Sequence, residues 1–214
     1  MADEHEQPEQ AWDEYEWESF LREQDLRTER YLELLERYVD HPERDMLIAR
    51  EMGWSDAEQG EAMIWDEAAV GEGLEASVSE EEAGAVDHSE VHPLYQASFD
   101  LTLWLDEAFE ARGERVSAHP ASLELSRQMC ILGGKLAAAL SDPEGSELGM
   151  TIAYLKRALR AANLALNAYA EMRRERLFGR IRDRQLKDQI FGVRDGIVRL
   201  MGESRQEWRR RNGA

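Results

Sequence analysis

Apolar residues recur three and four positions apart through most of this chain, and the strict alternation of a half-buried strand is absent, so the pattern predicts an all-α protein. The plainest segment is 147–176. There Ile152, Leu155, Leu159, Ala162, Leu166 and Tyr169 keep one rhythm, while Lys156, Arg160, Asn163, Asn167, Glu171 and Arg174 form a polar stripe in the same rhythm. A following segment, 179–211, sets Leu186, Ile190, Val193, Ile197 and Leu200 in a heptad-like seam. A single helix over 147–211 would run on the order of 100 Å at 1.5 Å per residue. That is too long for a compact bundle, so a turn is predicted at Leu177-Phe178-Gly179.

Two more helices precede these. Pro93 suits the first turn of a helix, and Leu94, Tyr95, Phe99, Leu101, Leu103, Trp104, Leu105 and Phe109 after it make a segment apolar on most sides, predicted to be central. The segment 121–140 presents Leu123, Leu125, Met129, Leu132, Leu136 and Leu140. Its Gly133-Gly134 pair costs helix propensity, roughly 1 kcal/mol per glycine, and is predicted to mark the close approach of a neighbouring helix ahead of the other reading, a kink. Nearer the N-terminus, a helix over 10–39 carries Trp12, Tyr15, Leu21, Tyr31, Leu34, Leu35 and Tyr38 among many charges, with Glu23/Arg27 and Glu33/Arg37 at supportive spacing. Short helices at 43–52 and 55–70 follow, hinged at Gly53-Trp54-Ser55. The predicted architecture is an antiparallel, up-down-up-down four-helix bundle over 93–212, an acidic N-terminal helical arm or cap over 1–70, and an acidic flexible linker over 71–92.

Charge follows the same division. Residues 1–90 hold 29 Asp/Glu against 6 Arg, whereas residues 91–214 hold 16 acids against 20 Lys/Arg, together giving the net −19. Such a charge repels nucleic acid and anionic lipid and favours basic surfaces. The N-terminal residues have neither the positive flank nor the apolar stretch of a secretory signal. The longest nearly apolar run, Met129 to Leu140, falls short of the roughly 20 residues that span a bilayer. A cytoplasmic protein with no membrane contact is expected. The one cysteine, Cys130, sits in the run Met129-Cys130-Ile131-Leu132 and reads as a small buried hydrophobe.

Candidate chemistry is sparse. His88 and His92 stand four apart, a metal-ligand spacing on a helix, but Pro93 disfavours helical geometry at His92. Asp100, Trp104 and Glu107 share one side of a helix without a matching carboxylate in an apolar stripe elsewhere. Residues 49–55 have the composition of a helix-turn-helix entry, yet Asp56, Glu58 and Glu61 after the turn have the wrong sign for phosphate. No catalytic, cofactor or metal residues are assigned, and none of the nucleotide-loop or nucleophile-elbow motifs occurs.

The expected function is therefore contact rather than chemistry: a non-enzymatic interaction or scaffold protein whose acidic helical surface meets a protein partner, itself possibly basic. Trp12, Tyr15, Trp17 and Phe20 among carboxylates are the candidate anchors, since aromatics anchor interfaces while charge steers approach. The same four side chains have a competing reading as a cover for the bundle. An inter-helix pocket lined by Trp104, serving a small ligand or an enzyme, is the first alternative. The second is a nucleic-acid or phosphate contact through Arg173, Arg174, Arg176, Arg180, Arg182, Arg184 and Lys187, a basic patch that reads first as an internal dock for the acidic arm and next as a plain solvated region. The seam of Leu186, Ile190, Val193 and Ile197 fits either a homo-oligomer contact or closure of the bundle itself.

Overall fold

The structure, a computed structural model, describes residues 11–54, 91–142 and 145–213. Among these it has seven helices and no strand: α1 (Glu14–Arg37), α2 (Arg44–Met52), α3 (Pro93–Glu110), α4 (Glu114–Ser117), α5 (Pro120–Ala139), α6 (Leu148–Arg174) and α7 (Arg180–Asn212). The short helix expected at 55–70 and most of the linker expected at 71–92 lie outside the described residues. The chain divides into two compact units, residues 1–18 with 90–214, and residues 19–89, so the division falls within α1.

In the first unit α6 packs on α5 and α7, and α3 packs on α5 and α7, around one apolar core. Leu101, Leu105, Leu125, Met129, Leu132, Leu136, Leu155, Leu186, Ile190 and Ile197 are buried to within 1%. Each large apolar side chain so enclosed contributes roughly 1.5–3 kcal/mol. Half of the twelve buried positions of α6 are alanine: Ala153, Ala158, Ala162 and Ala165 are fully enclosed, and such small side chains let the neighbouring α5 and α7 come close. The predicted stripe is thus only part of its face, since Leu159 and Leu166 are half-buried while the alanines beside them are buried.

Helices α6 and α7 run in opposite directions. The Arg211 guanidinium donates to the Gly145 carbonyl at 2.6 Å, Arg194 donates to Asn163 at 3.1 Å, and Arg173 meets Asp183 at 3.8 Å. The expected turn between them is present. Arg176 takes the left-handed conformation at φ 54°, Leu177 donates its amide to the Met172 carbonyl at 3.1 Å, and the buried Leu177 side chain closes the helix end. Helix α3 also runs opposite to α7: Leu94 lies over Gly196, and Phe109 stacks on Phe178 at 5.8 Å.

Two histidines start helices. The His92 and His119 Nδ1 atoms accept the amides of Leu94 and Ala121 at 3.1 and 3.2 Å, each followed by a proline in the first turn. In the turn before α6, the Glu147 amide and the Ser146 hydroxyl both donate to Asp142, holding its carboxyl below the usual carboxylate range.

Three expectations fail here. Helix α3 is not central, because it packs on α5 and α7 by one side while Phe99 and Leu103 on the other are about half exposed. Gly133 and Gly134 are not points of close approach; a Cβ at either would meet nothing within 4 Å, and α5 runs through them unbroken. The close approaches are at Gly149 and Gly196 instead. Cys130 is exposed, one helical step from the buried Met129 but on the outer side of α5.

Within the second unit, Gly53 ends α2 at φ 72°, with the Trp54 amide donating to the Ala49 carbonyl at 2.9 Å. Trp54 stacks on Tyr31 at 5.7 Å, with the Arg27 guanidinium over its ring. Glu51 accepts the Tyr38 hydroxyl, a hydrogen bond that pushes this phenol up, and Arg30 donates to the Glu51 carbonyl at 3.1 Å. Leu34, Ile48 and Ala49 are buried.

Candidate interaction surfaces

The N-terminal aromatics divide between the two units. Asp13 accepts the amides of Tyr15 and Glu16 at 2.7 and 2.9 Å, and Glu16 accepts the Asp13 amide at 2.8 Å, a reciprocal cap that fixes the start of α1. Within the first unit, the segment before Ser19 lies on α6 and α7. Trp12 and Trp17 meet edge to face at 5.1 Å, and Gly149 of α6 admits the Trp12 carbonyl so closely that a Cβ there would be 2.2 Å from it. Two ion pairs secure the segment: Arg157 with Glu18 at 3.0 Å and Arg205 with Glu14 at 2.8 Å. Lys156 stands over the Tyr15 ring at 4.5 Å, yet Tyr15 remains 68% exposed.

Trp12, Tyr15 and Trp17 therefore have contacts within the first unit, as the covering role requires, while Trp12 and Tyr15 keep substantial outer surface. Phe20 belongs to the second unit and is 38% exposed. Beyond it, Leu26 and Leu32 of α1 are more than half exposed, in a helix with eight Asp/Glu and four Arg. Sequence reasoning named neither leucine, because leucines at helical spacing in a chain this apolar read as core.

All seven residues of the basic patch are brought together at the corner where α6 ends and α7 begins, and all are exposed. Arg173 pairs with Asp183, Arg174 with Glu171, and Arg184 with Asp188; Lys187 lies over Phe191. The carboxylates of the segment before Ser19 go elsewhere, Glu14 and Glu18 pairing with Arg205 and Arg157, so the dock expected for them on this patch is replaced by one further along α7 and α6. A depression of about 790 Å³ is lined by Arg180, Ile181, Arg184, Gln185, Asp188 and Gln189. Another of about 320 Å³ lies on α6, at Lys156, Leu159, Arg160, Asn163 and Leu164. Each is lined by one helix. Below the basic corner, burial pushes the Tyr169 phenol up, and the neighbouring Asp183 carboxylate adds to this.

The remaining candidates are dispersed. His92 is a helix cap, and its proposed companion His88 lies outside the described residues. Among the described residues no group of three His, Cys, Asp or Glu is placed to hold a metal. Asp100 and Glu107 are exposed, with Asp100 accepting from Gln96 at 2.7 Å, while Trp104 leans toward Phe178. Among the described residues, Ser98, Ser122, Gln128, Thr151 and Ser204 are buried polar side chains, beside the buried Tyr169 phenol. The seam of Leu186, Ile190, Val193 and Ile197 is spent inside the core, where these side chains are 0–4% exposed. No described helix is long and apolar enough to cross a membrane. Set against protein-family models, curated proteins and solved structures, the chain matches none.

Proposed function

We propose that this is a non-enzymatic interaction protein, in which an up-down-up-down four-helix bundle over 93–212 acts as the scaffold and the acidic N-terminal region as the surface presented to a protein partner. The observation that carries this reading is on α1: Leu26 and Leu32, 62% and 54% exposed, stand among carboxylates with Phe20. Exposed apolar side chains on a helix with twice as many acids as arginines supply what a protein interface uses, an apolar anchor and long-range steering. The sign selects a basic partner. The opposed directions of α3 and α7, and of α6 and α7, support the bundle topology. Residues 1–70 as arm and 71–92 as linker belong to the same proposal.

The test compares the full chain with its Leu26→Ser/Leu32→Ser variant. Both positions are exposed, so the melting temperature is expected to stay put. Proteins recovered on the immobilised full chain, released by raised salt and missing from the variant, are the expected result. Equal recovery on both, across the salt series, refutes the α1 surface.

A further inference from the structure

The corner between α6 and α7 carries a local charge opposite in sign to the net charge of the chain. In a chain of net −19, residues 171–188 hold six Arg and one Lys against four acids. The α6–α7 turn gathers them at one end of two helices, and all seven cations are exposed. Their internal pairing is uneven: Arg174 is closely paired with Glu171, while Arg173 reaches Asp183, and Arg184 reaches Asp188, only at 3.8 Å. Arg176 stands at a left-handed backbone position in the turn between the two helices. In the first turns of α7, Ile181 is 85% exposed between Arg180 and Arg184, beside the depression of about 790 Å³ that these three residues help to line. An isoleucine that exposed, flanked by guanidinium groups one turn apart, is an apolar contact point inside a positive rim.

We propose that this corner docks an acidic protein segment bearing an apolar side chain, with Ile181 as the apolar contact and Arg180 and Arg184 as the charged clamps. Guanidinium groups pair with carboxylates through a planar two-pronged geometry, so both arginines are matched to Glu or Asp. Nucleic acid fits less well. A phosphate backbone makes no use of a protruding isoleucine, whereas an acidic protein segment can set an apolar side chain against Ile181. This surface is separate from the acidic one on α1 and has the opposite sign.

The test uses the full chain and two variants, Arg180→Glu/Arg184→Glu and Ile181→Ser. Arg180 lies in the first turn of α7, where an acidic residue suits the helix dipole, and Arg184 is exposed one turn on, so the charge reversal is expected to keep the helix, which an unchanged thermal melt verifies. The probes are a short labelled helical peptide with a glutamate surface and one leucine stripe, the same peptide with glutamine in place of leucine, and an oligothymidylate of matched charge. The leucine peptide is expected to bind with salt-sensitive affinity, to weaken at least about tenfold on charge reversal, and to weaken severalfold with Ile181→Ser or without its leucines. An affinity unmoved by the charge reversal overturns the proposal. So does oligothymidylate binding that equals the peptide's and is lost with the same arginines, because the corner is then a phosphate surface; and so does indifference to Ile181.

Discussion

Substituting Gly149 by alanine tests whether the segment before Ser19 is seated on the bundle as described. The new Cβ would stand 2.2 Å from the Trp12 carbonyl oxygen, 2.8 Å from Trp17 Cδ1 and 3.1 Å from the Asp13 carbonyl carbon. A carbon and a carbonyl oxygen rest at about 3.3 Å, so backbone at Trp12 must retreat by about 1 Å. The atom in the way is main chain, which cannot rotate aside as a side chain does. Overpacking of this kind costs about 1–3 kcal/mol, and removing a helical glycine returns at most about 1 kcal/mol. The return is smaller here because Gly149 is the second residue of α6. A net loss of about 1–2 kcal/mol lowers the melting temperature of a chain this size by about 2–8 °C. Circular dichroism reads the melt, and tryptophan emission reads the segment, shifting to the red as Trp12 and Trp17 leave α6. Gly133→Ala and Gly134→Ala are the matched controls: open space surrounds both, so each raises stability by up to about 1 kcal/mol. A Gly149→Ala protein as stable as these two, with unmoved emission, refutes the docking.

Further outcomes follow from single residues. The Arg210 and Arg211 guanidinium groups hold the Glu207 carboxyl at about 2, below its ordinary 4.5. Because the folded value is the lower one, this interaction stabilises fully above pH 4.5 and is lost as pH falls toward 2. A carboxyl-detected NMR titration is expected to place the midpoint near 2, and Arg210→Gln to raise it; an ordinary midpoint in the unaltered chain dismisses the pairing. Cys130, exposed on α5, is expected to react with a thiol reagent in the native state at the rate of a free thiol, whereas reaction only on denaturation contradicts its placement. Arg176→Gly relieves the left-handed strain and is expected to stabilise by about 1 kcal/mol in chemical denaturation, a gain that a regular helical geometry at this position would turn into a loss.

The helices were readable because their periodicity was strong: 147–176 and 179–211 were expected, and Leu148–Arg174 and Arg180–Asn212 are found. Contacts made by small residues were harder to read. Alanine is weakly apolar, so the buried face of α6 looked narrower than it is. Glycine gives the same letter whether it faces a neighbour, as Gly149 does, or open space, as Gly133 and Gly134 do. Cys130 was misplaced because a run of apolar letters conceals the helical phase; Met129 and Leu132 face inward while the residues between them face out. The His92 and His119 caps were missed, although each His-Pro pair preceding an apolar segment was visible. Of the candidate surfaces, the basic corner was legible as a cluster in the sequence. The exposure of Leu26, Leu32 and Ile181 was not, since it depends on which side of each helix its neighbours occupy.

The alanine lining of α6 also makes tolerance in the core lopsided. At Ala158, Ala162 or Ala165, trimming to glycine removes one methyl, whereas a valine or leucine must push α5 or α7 outward and loosen every layer along that seam. Sequence drift along this helix is therefore expected to be confined to the smallest side chains, even as the leucines and isoleucines facing it exchange among themselves.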